Sequence, residues 1–241
     1  MITASETRMR AWRKLGEGNW LVAVGAFGLY WLMGTVFSQL LTRIGFATGG
    51  IEAVPLGEVV KMLGSVPADM IPADLLKQTM PVAKPGFLAV QAVATAFMNG
   101  VITAGWAVFT ISVMRNGANA LQVFSGFSRF LEMGWLMLVK TARIVLWTLL
   151  LIVPGVIAFY SYRLAFFLKA DHPEWSATKV LMESRRMMND RKWSLACLDA
   201  SFIGWLLLVA VTFGIATLFV SPYMGVTYAA FYEDVLDGEG A

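Results

Sequence analysis

Asp199 lies inside an apolar run, and Lys140, Arg143 and Arg163 fall in two other apolar stretches. One acid and three bases at such positions are the residues of this chain whose types could do chemistry. A charge at the centre of a membrane helix costs about 2.5–3.5 kcal/mol on insertion scales, so the carboxylate is expected to pair with one of the bases. Such a pair either fixes the register of two helices or relays a proton or ion. The lysine and arginines have a further course, snorkelling to anionic lipid headgroups. A second candidate is Asn99 with Gly100 and Thr103. Ala92, Ala96, Gly100 and Ala104 recur every four residues, giving a small-residue face bordered by Asn99 and Thr103. That face is either a helix-packing seam or a substrate contact at the membrane midplane.

Enzyme signatures are sparse. The single histidine, His172, sits in Asp171-His172-Pro173, and Cys197 is the single cysteine, so neither a histidine or cysteine metal cluster nor an intramolecular disulfide can be assembled. There is no G-x-S-x-G elbow, phosphate-binding loop or dinucleotide fingerprint. Glu183 and Ser184 are adjacent in sequence and do not face each other on a helix. The reading is a non-enzymatic protein with no cofactor and no metal.

The elements that must position these residues are membrane helices. Of the 241 residues, 58% are apolar and 15% charged, and mean hydropathy is +0.65; soluble domains carry about 25% charged residues. A span needs roughly 20 apolar residues to cover about 30 Å of hydrocarbon. Residues 20–41 and 86–113 meet that need. Residues 146–168 and 195–232 are apolar blocks split at Pro154-Gly155 and Phe213-Gly214, and each is read as a hairpin of two helices, 132–153 with 156–169 and 195–212 with 215–232. Residues 144–169 either span fully or re-enter on the same face. The fold class is therefore all-α: a polytopic helical membrane protein of about six spans in three hairpins, forming one integral membrane domain over residues 1–241.

Charge sets the orientation. Segments 1–19, 115–131 and 169–194 carry four, two and six basic residues, against four in residues 43–85, a stretch with five of the eight prolines. By the positive-inside bias the three basic segments and both termini are cytoplasmic and 43–85 is an external loop, with short helical turns expected at 56–63 and 73–80. The units are then an amphipathic helix over 1–19, a first hairpin over 20–113, a second over 114–170, and over 171–241 a basic helix, a third hairpin and an acidic tail. Arg13 to Trp20 and Arg186 to Trp193 have the same spacing, echoed by Arg129 to Trp135, which suits a threefold internal repeat as well as simple interfacial enrichment of Arg and Trp. Arg185, Arg186, Arg191 and Lys192 suit contact with anionic headgroups. Basic residues are too few and too close to spans for nucleic acid.

Pro154-Gly155, Tyr160 and Tyr162, Asp171-His172-Pro173, Ser184-Arg185-Arg186-Met187-Met188, Lys192, Ser201-Phe202-Ile203-Gly204-Trp205, Thr212-Phe213-Gly214-Ile215, Pro222-Tyr223 and Phe231-Tyr232 follow in an order that resembles an uncharacterised bacterial integral membrane family, domain of unknown function 975. The resemblance covers residues 146–236; Asp190 departs from it, standing where that family has glycine. More distantly the hairpin resembles the membrane region attached to some glycerophosphodiester phosphodiesterases, without their catalytic domain. The resemblance implies a bacterial cytoplasmic membrane and no defined activity. The leading expectation is an accessory or scaffold protein whose partners are membrane lipids, another membrane protein or a second copy. The rival is a small transporter or channel using Asp199, Arg143, Arg163 and Asn99.

Overall fold

The computed structural model describes residues 3–56, 58–59, 79–115 and 117–238. Ten α-helices of known bounds and one two-stranded sheet account for most of them: α1 (Ala4–Lys14), α2 (Trp20–Ala47), β1 (Ile51–Pro55), β2 (Thr79–Ala83), α3 (Pro85–Met114), a 3-10 helix (Ala120–Arg129), α4 (Phe130–Leu150), α5 (Ile152–Ser161), α6 (Ala165–Asp171), α7 (Ala177–Met187), α8 (Lys192–Ala200), α9 (Ile203–Val211) and α10 (Thr217–Asp237). Among the described residues five helical stretches are long and apolar enough to cross a membrane: Ala4–Ala47, Pro85–Met114, Ala120–Leu150, Ile152–Asp171 and Lys192–Val211. The protein is thus a polytopic all-α membrane protein with one small β-hairpin.

The chain divides into two compact units, residues 1–34 with 96–241 and residues 35–95. In the smaller unit β1 pairs antiparallel with β2, Ile51 opposite Ala83, and Glu52 bonds Lys84 at 2.7 Å. The segment expected to be loop with helical turns therefore contains a strand pair, because alternating Ile51, Ala53 and Pro55 find a partner across the loop. Thr79 and Met80, placed in a helical turn from sequence, are strand. The rest of that turn, and most of the one at 56–63, lie outside the described residues.

The larger unit is built round α10. Most of this helix is buried, whereas α9 has no buried residue and α4 only Met133, Gly134 and Leu136. A helix apolar on every face and unpacked on most of it has hydrocarbon, not water, as its solvent. The amphipathic α1 begins with a capping box, Thr3 with Glu6, packs along α10, and turns into α2 at Gly18, whose φ of +94° suits glycine.

The two hairpin turns differ. At the third, Phe213 and Gly214 take φ of +49° and +90°, as expected from sequence. Every N–H from Thr212 to Val220 finds an acceptor inside the turn or the helix before it; Ala216 donates to the Thr212 hydroxyl. Phe213 is 98% exposed, and the tip carries no charged residue. At the second hairpin the chain breaks at Leu151 (φ −160°, ψ 143°), three residues ahead of the expected Pro154-Gly155 turn. Pro154 sits in the first turn of α5, where a missing N–H is harmless, and Ile152 and Val153 amides have no side-chain cap. Gly155 is helical; its role is close approach, since a Cβ there would lie 2.8 Å from Thr148 Cα in α4. The return helix also ends early, at Ser161, and resumes as α6 after a turn over Tyr162–Leu164.

Glycine also sets the crossing of α3 with the 3-10 helix and α4. A Cβ at Gly105 would come within 1.8 Å of the Val123 carbonyl oxygen, one at Gly126 within 2.0 Å of Val101 O, and one at Gly100 within 2.5 Å of Met133 O. These are backbone atoms with no rotamer to yield. Gly105→Ala and Gly126→Ala are each expected to destabilise by about 1–3 kcal/mol, whereas Gly25→Ala, inside α2 with open space around it, is expected to be neutral or to stabilise by up to about 1 kcal/mol. Tryptophan fluorescence during thermal unfolding in detergent checks this; equal midpoints for Gly105→Ala and Gly25→Ala would refute the assigned crossing.

Candidate functional site

The turn between α5 and α6 points Arg163 inward, and Lys140, near the middle of α4, meets the same space. They share a cavity of about 610 Å³ with Phe27 and Tyr30 of α2, Thr103 and Trp106 of α3, Met137 and Thr141 of α4, Phe166 and Phe167 of α6, and Ser221, Met224, Gly225 and Tyr228 of α10. That volume lies within the usual range of ligand pockets. Gly225 makes room for Trp106, because a Cβ would lie 2.7 Å from its ring. Phe27, Tyr30 and Trp106 form one aromatic cluster on its wall, with buried Phe109 packed behind Trp106. Lys140 Nζ stands 5.1 Å from the Phe166 ring centre, and Arg163 packs over Tyr228 at 4.3 Å and Phe159 at 5.6 Å.

Asp199 does not pair with these bases directly. The Tyr228 hydroxyl donates to its carboxylate at 2.7 Å, and no lysine or arginine nitrogen among the described residues lies within 4.0 Å of it. The physical reason is the packing of α8 against α5 and α1, which presents Asp199 to the rim of α10 and leaves Tyr228 between it and Arg163. Arg143 is partly exposed, does not line the cavity, and has no hydrogen-bond or ion-pair partner among the described residues. The expected cluster therefore splits: Lys140 and Arg163 come together, Asp199 touches them through a tyrosine, and Arg143 stands apart. Gly100 is the packing contact of the small-residue face, Thr103 lines the cavity, and Asn99, one turn before Thr103, is exposed and does not line it.

Other charges form closed clamps. Asp234, 9% exposed, accepts from Arg10 at 2.6 Å and Thr7 at 2.9 Å. The segment expected to be an acidic tail is thus in part the last turns of α10, held because a carboxylate taken out of water needs donors. Arg115 makes two 2.8 Å bonds to Asp171 and one to Glu233, and Tyr232 donates to Asp171 at 2.9 Å. The hydrogen bonds that Arg115 donates to Asp171 are the main cause that pushes its pKa up, with the charges of both carboxylates adding to it, so this guanidinium keeps its charge at any working pH. Lys169, 4% exposed, pairs with Glu132 at 2.8 Å and donates to the Pro173 and Trp175 carbonyls. The Ser184 hydroxyl, buried, donates at 2.8 Å to the Ser161 carbonyl left open where α5 ends.

The basic residues assigned to headgroups behave unequally. Arg185 and Arg186 are exposed on α7, with Arg186 bonded to Glu183. Arg191 is not free for headgroups: it donates at 2.7 Å to the Val235 carbonyl and so caps the end of α10. Lys192 bonds the Asn189 carbonyl one turn back. Among the described residues no group of three His, Cys, Asp or Glu side chains could hold a metal ion. The aromatic ring of sites around Arg163 was not legible from sequence, since Tyr30, Trp106 and Tyr228 read like any interfacial aromatic.

Residues 166–239 match the family described as protein of unknown function, DUF975. The match starts later than the resemblance read from sequence and takes in the clamps of α6, α7 and α10. Comparisons with curated proteins and with solved structures gave no match, and none supports the likeness to glycerophosphodiester phosphodiesterases.

Two substitutions test the clamps. Ser184→Val leaves the Ser161 carbonyl buried without a donor and is expected to destabilise by about 1–3 kcal/mol. Arg115→Lys keeps the charge but loses the fork shared by Asp171 and Glu233, with an expected loss of about 1–2 kcal/mol. Thermal midpoints in detergent read both; unchanged midpoints would mean that water replaces these bonds.

Proposed function

We propose that the protein is a non-enzymatic accessory or scaffold component of a bacterial cytoplasmic membrane, with both termini on the cytoplasmic side, which binds anionic lipid or a membrane partner. The observation that carries this reading is the closure of its ion pairs. Asp234 with Arg10, Asp171 and Glu233 with Arg115, and Lys169 with Glu132 each satisfy one another within the chain. A relay needs ionisable groups that exchange partners in sequence across the membrane, and clamps of this kind suit a rigid body instead. The exposed Arg185 of α7 and the apolar surfaces of α4 and α9 supply a headgroup contact and a lipid or helix contact.

The second reading, a small transporter, is favoured by one observation: a cavity holding Lys140, Arg163 and Thr103 inside the bundle. Reconstitution into vesicles separates the two. The scaffold reading expects proton, cation and anion leak equal to that of empty vesicles, and a shell of phosphatidylglycerol that shrinks when Arg185→Ala and Arg186→Ala are combined. Flux above the empty-vesicle level that disappears in Arg163→Met would replace it with transport.

A further inference from the structure

Lys140 and Arg163 face one space, and among the described residues neither has a carboxylate within 4.0 Å. Each rests on an aromatic face, which offsets only part of what a cation loses on leaving water. Asp199 stands behind Tyr228 and outside the cavity, so it answers at most one of the two charges. Elsewhere in the larger unit the buried charges Lys169 and Asp234 are closed by opposite charge. The cavity is the exception: positive charge set against an apolar wall of Phe27, Trp106 and Phe167. The hydroxyls of Thr141 and Ser221 line the same space and offer further donors.

We infer that this cavity binds one amphiphilic anion, a phosphate or carboxylate headgroup on an acyl tail. The headgroup oxygens lie between the Lys140 ammonium and the Arg163 guanidinium, whose planar fork suits two oxygens at once. The tail lies on the aromatic wall. A zwitterionic or cationic headgroup brings a further positive charge beside Lys140 and Arg163 and is bound more weakly than one of net negative charge. The inference rests on the lipid-binding reading above and adds to it a single saturable site inside the bundle, separate from the shell of lipid at α7.

Native mass spectrometry of the full chain in mild detergent, offered equal phosphatidylglycerol and phosphatidylcholine, tests it. Wild type is expected to retain one phosphatidylglycerol per chain. Lys140→Met and Arg163→Met each weaken retention by about tenfold or more, and Lys140→Arg restores most of it. Thr141→Leu narrows the space with both charges in place and lowers lipid retention, which keeps the test decisive where a charge variant fails to fold. Combined Arg185→Ala and Arg186→Ala leave the tight lipid bound. If Lys140→Met and Arg163→Met retain phosphatidylglycerol like wild type while the α7 variant loses it, the cavity site is wrong and the surface reading stands alone; if only the cavity variants lose the tight lipid and only the α7 variant loses the shell seen in vesicles, both sites hold. Equal retention of both lipids, or displacement of all lipid by millimolar inorganic phosphate, overturns the amphiphile, the second result assigning the space to a free anion.

Discussion

The Asp234 carboxylate, accepting from Arg10 and Thr7, joins the first helix to the last across more than two hundred residues. A carboxylate this buried persists only with donors in place, so the pair obliges α1 to lie along α10. From that constraint follows the burial of Thr7 and Ala11 on one side of α1 and the seating of Trp12 edge-on against Tyr223. The Arg8 guanidinium, carried by the same helix, donates to the Ser201 carbonyl and closes the end of α8. One charge pair thereby positions three helices.

The second clamp does similar work at the far ends of other elements. Arg115 follows α3, Asp171 ends α6, and Tyr232 and Glu233 lie near the end of α10. Together the clamps gather the charged ends of the larger unit round α10 and leave its remaining helices apolar. The cavity lies among these helices, and its two bases are held by aromatic rings where the clamps use carboxylates. The same physical rule governs both: a charge away from water keeps whatever partner the packing allows it.

Much of this was legible in the sequence where one physical term dominates. The apolar runs of α2, α3 and the stretch of α8 with α9 (Lys192–Val211) could be read directly, because length and composition alone define a candidate span. The Phe213-Gly214 turn was legible for the same reason, since only a reversal explains glycine between two apolar helices there. Pro154-Gly155 was misread because both residues serve helices as well as turns: proline fits a first turn, and glycine fits a close crossing. Asp199 was assigned a partner among Lys140, Arg143 and Arg163 on charge alone, and a tyrosine hydroxyl took that place once α8 had packed. Ser184, Asp171 and Tyr232 could be recognised as a pattern in order, but their work, closing a broken helix and holding Arg115, exists only when distant segments meet.

The two hairpin tips carry a consequence for how the protein sits in bilayers of different thickness. At residues 212–220 the backbone amides are all satisfied within the turn and the helix before it, so that tip asks for no hydrogen-bond acceptor from its surroundings. The start of α5 has uncapped amides at Ile152 and Val153, which hold it at a depth where water or ester oxygens reach. One tip has open amides and the other has none, so a bilayer of changed thickness would be met at the third hairpin before the second.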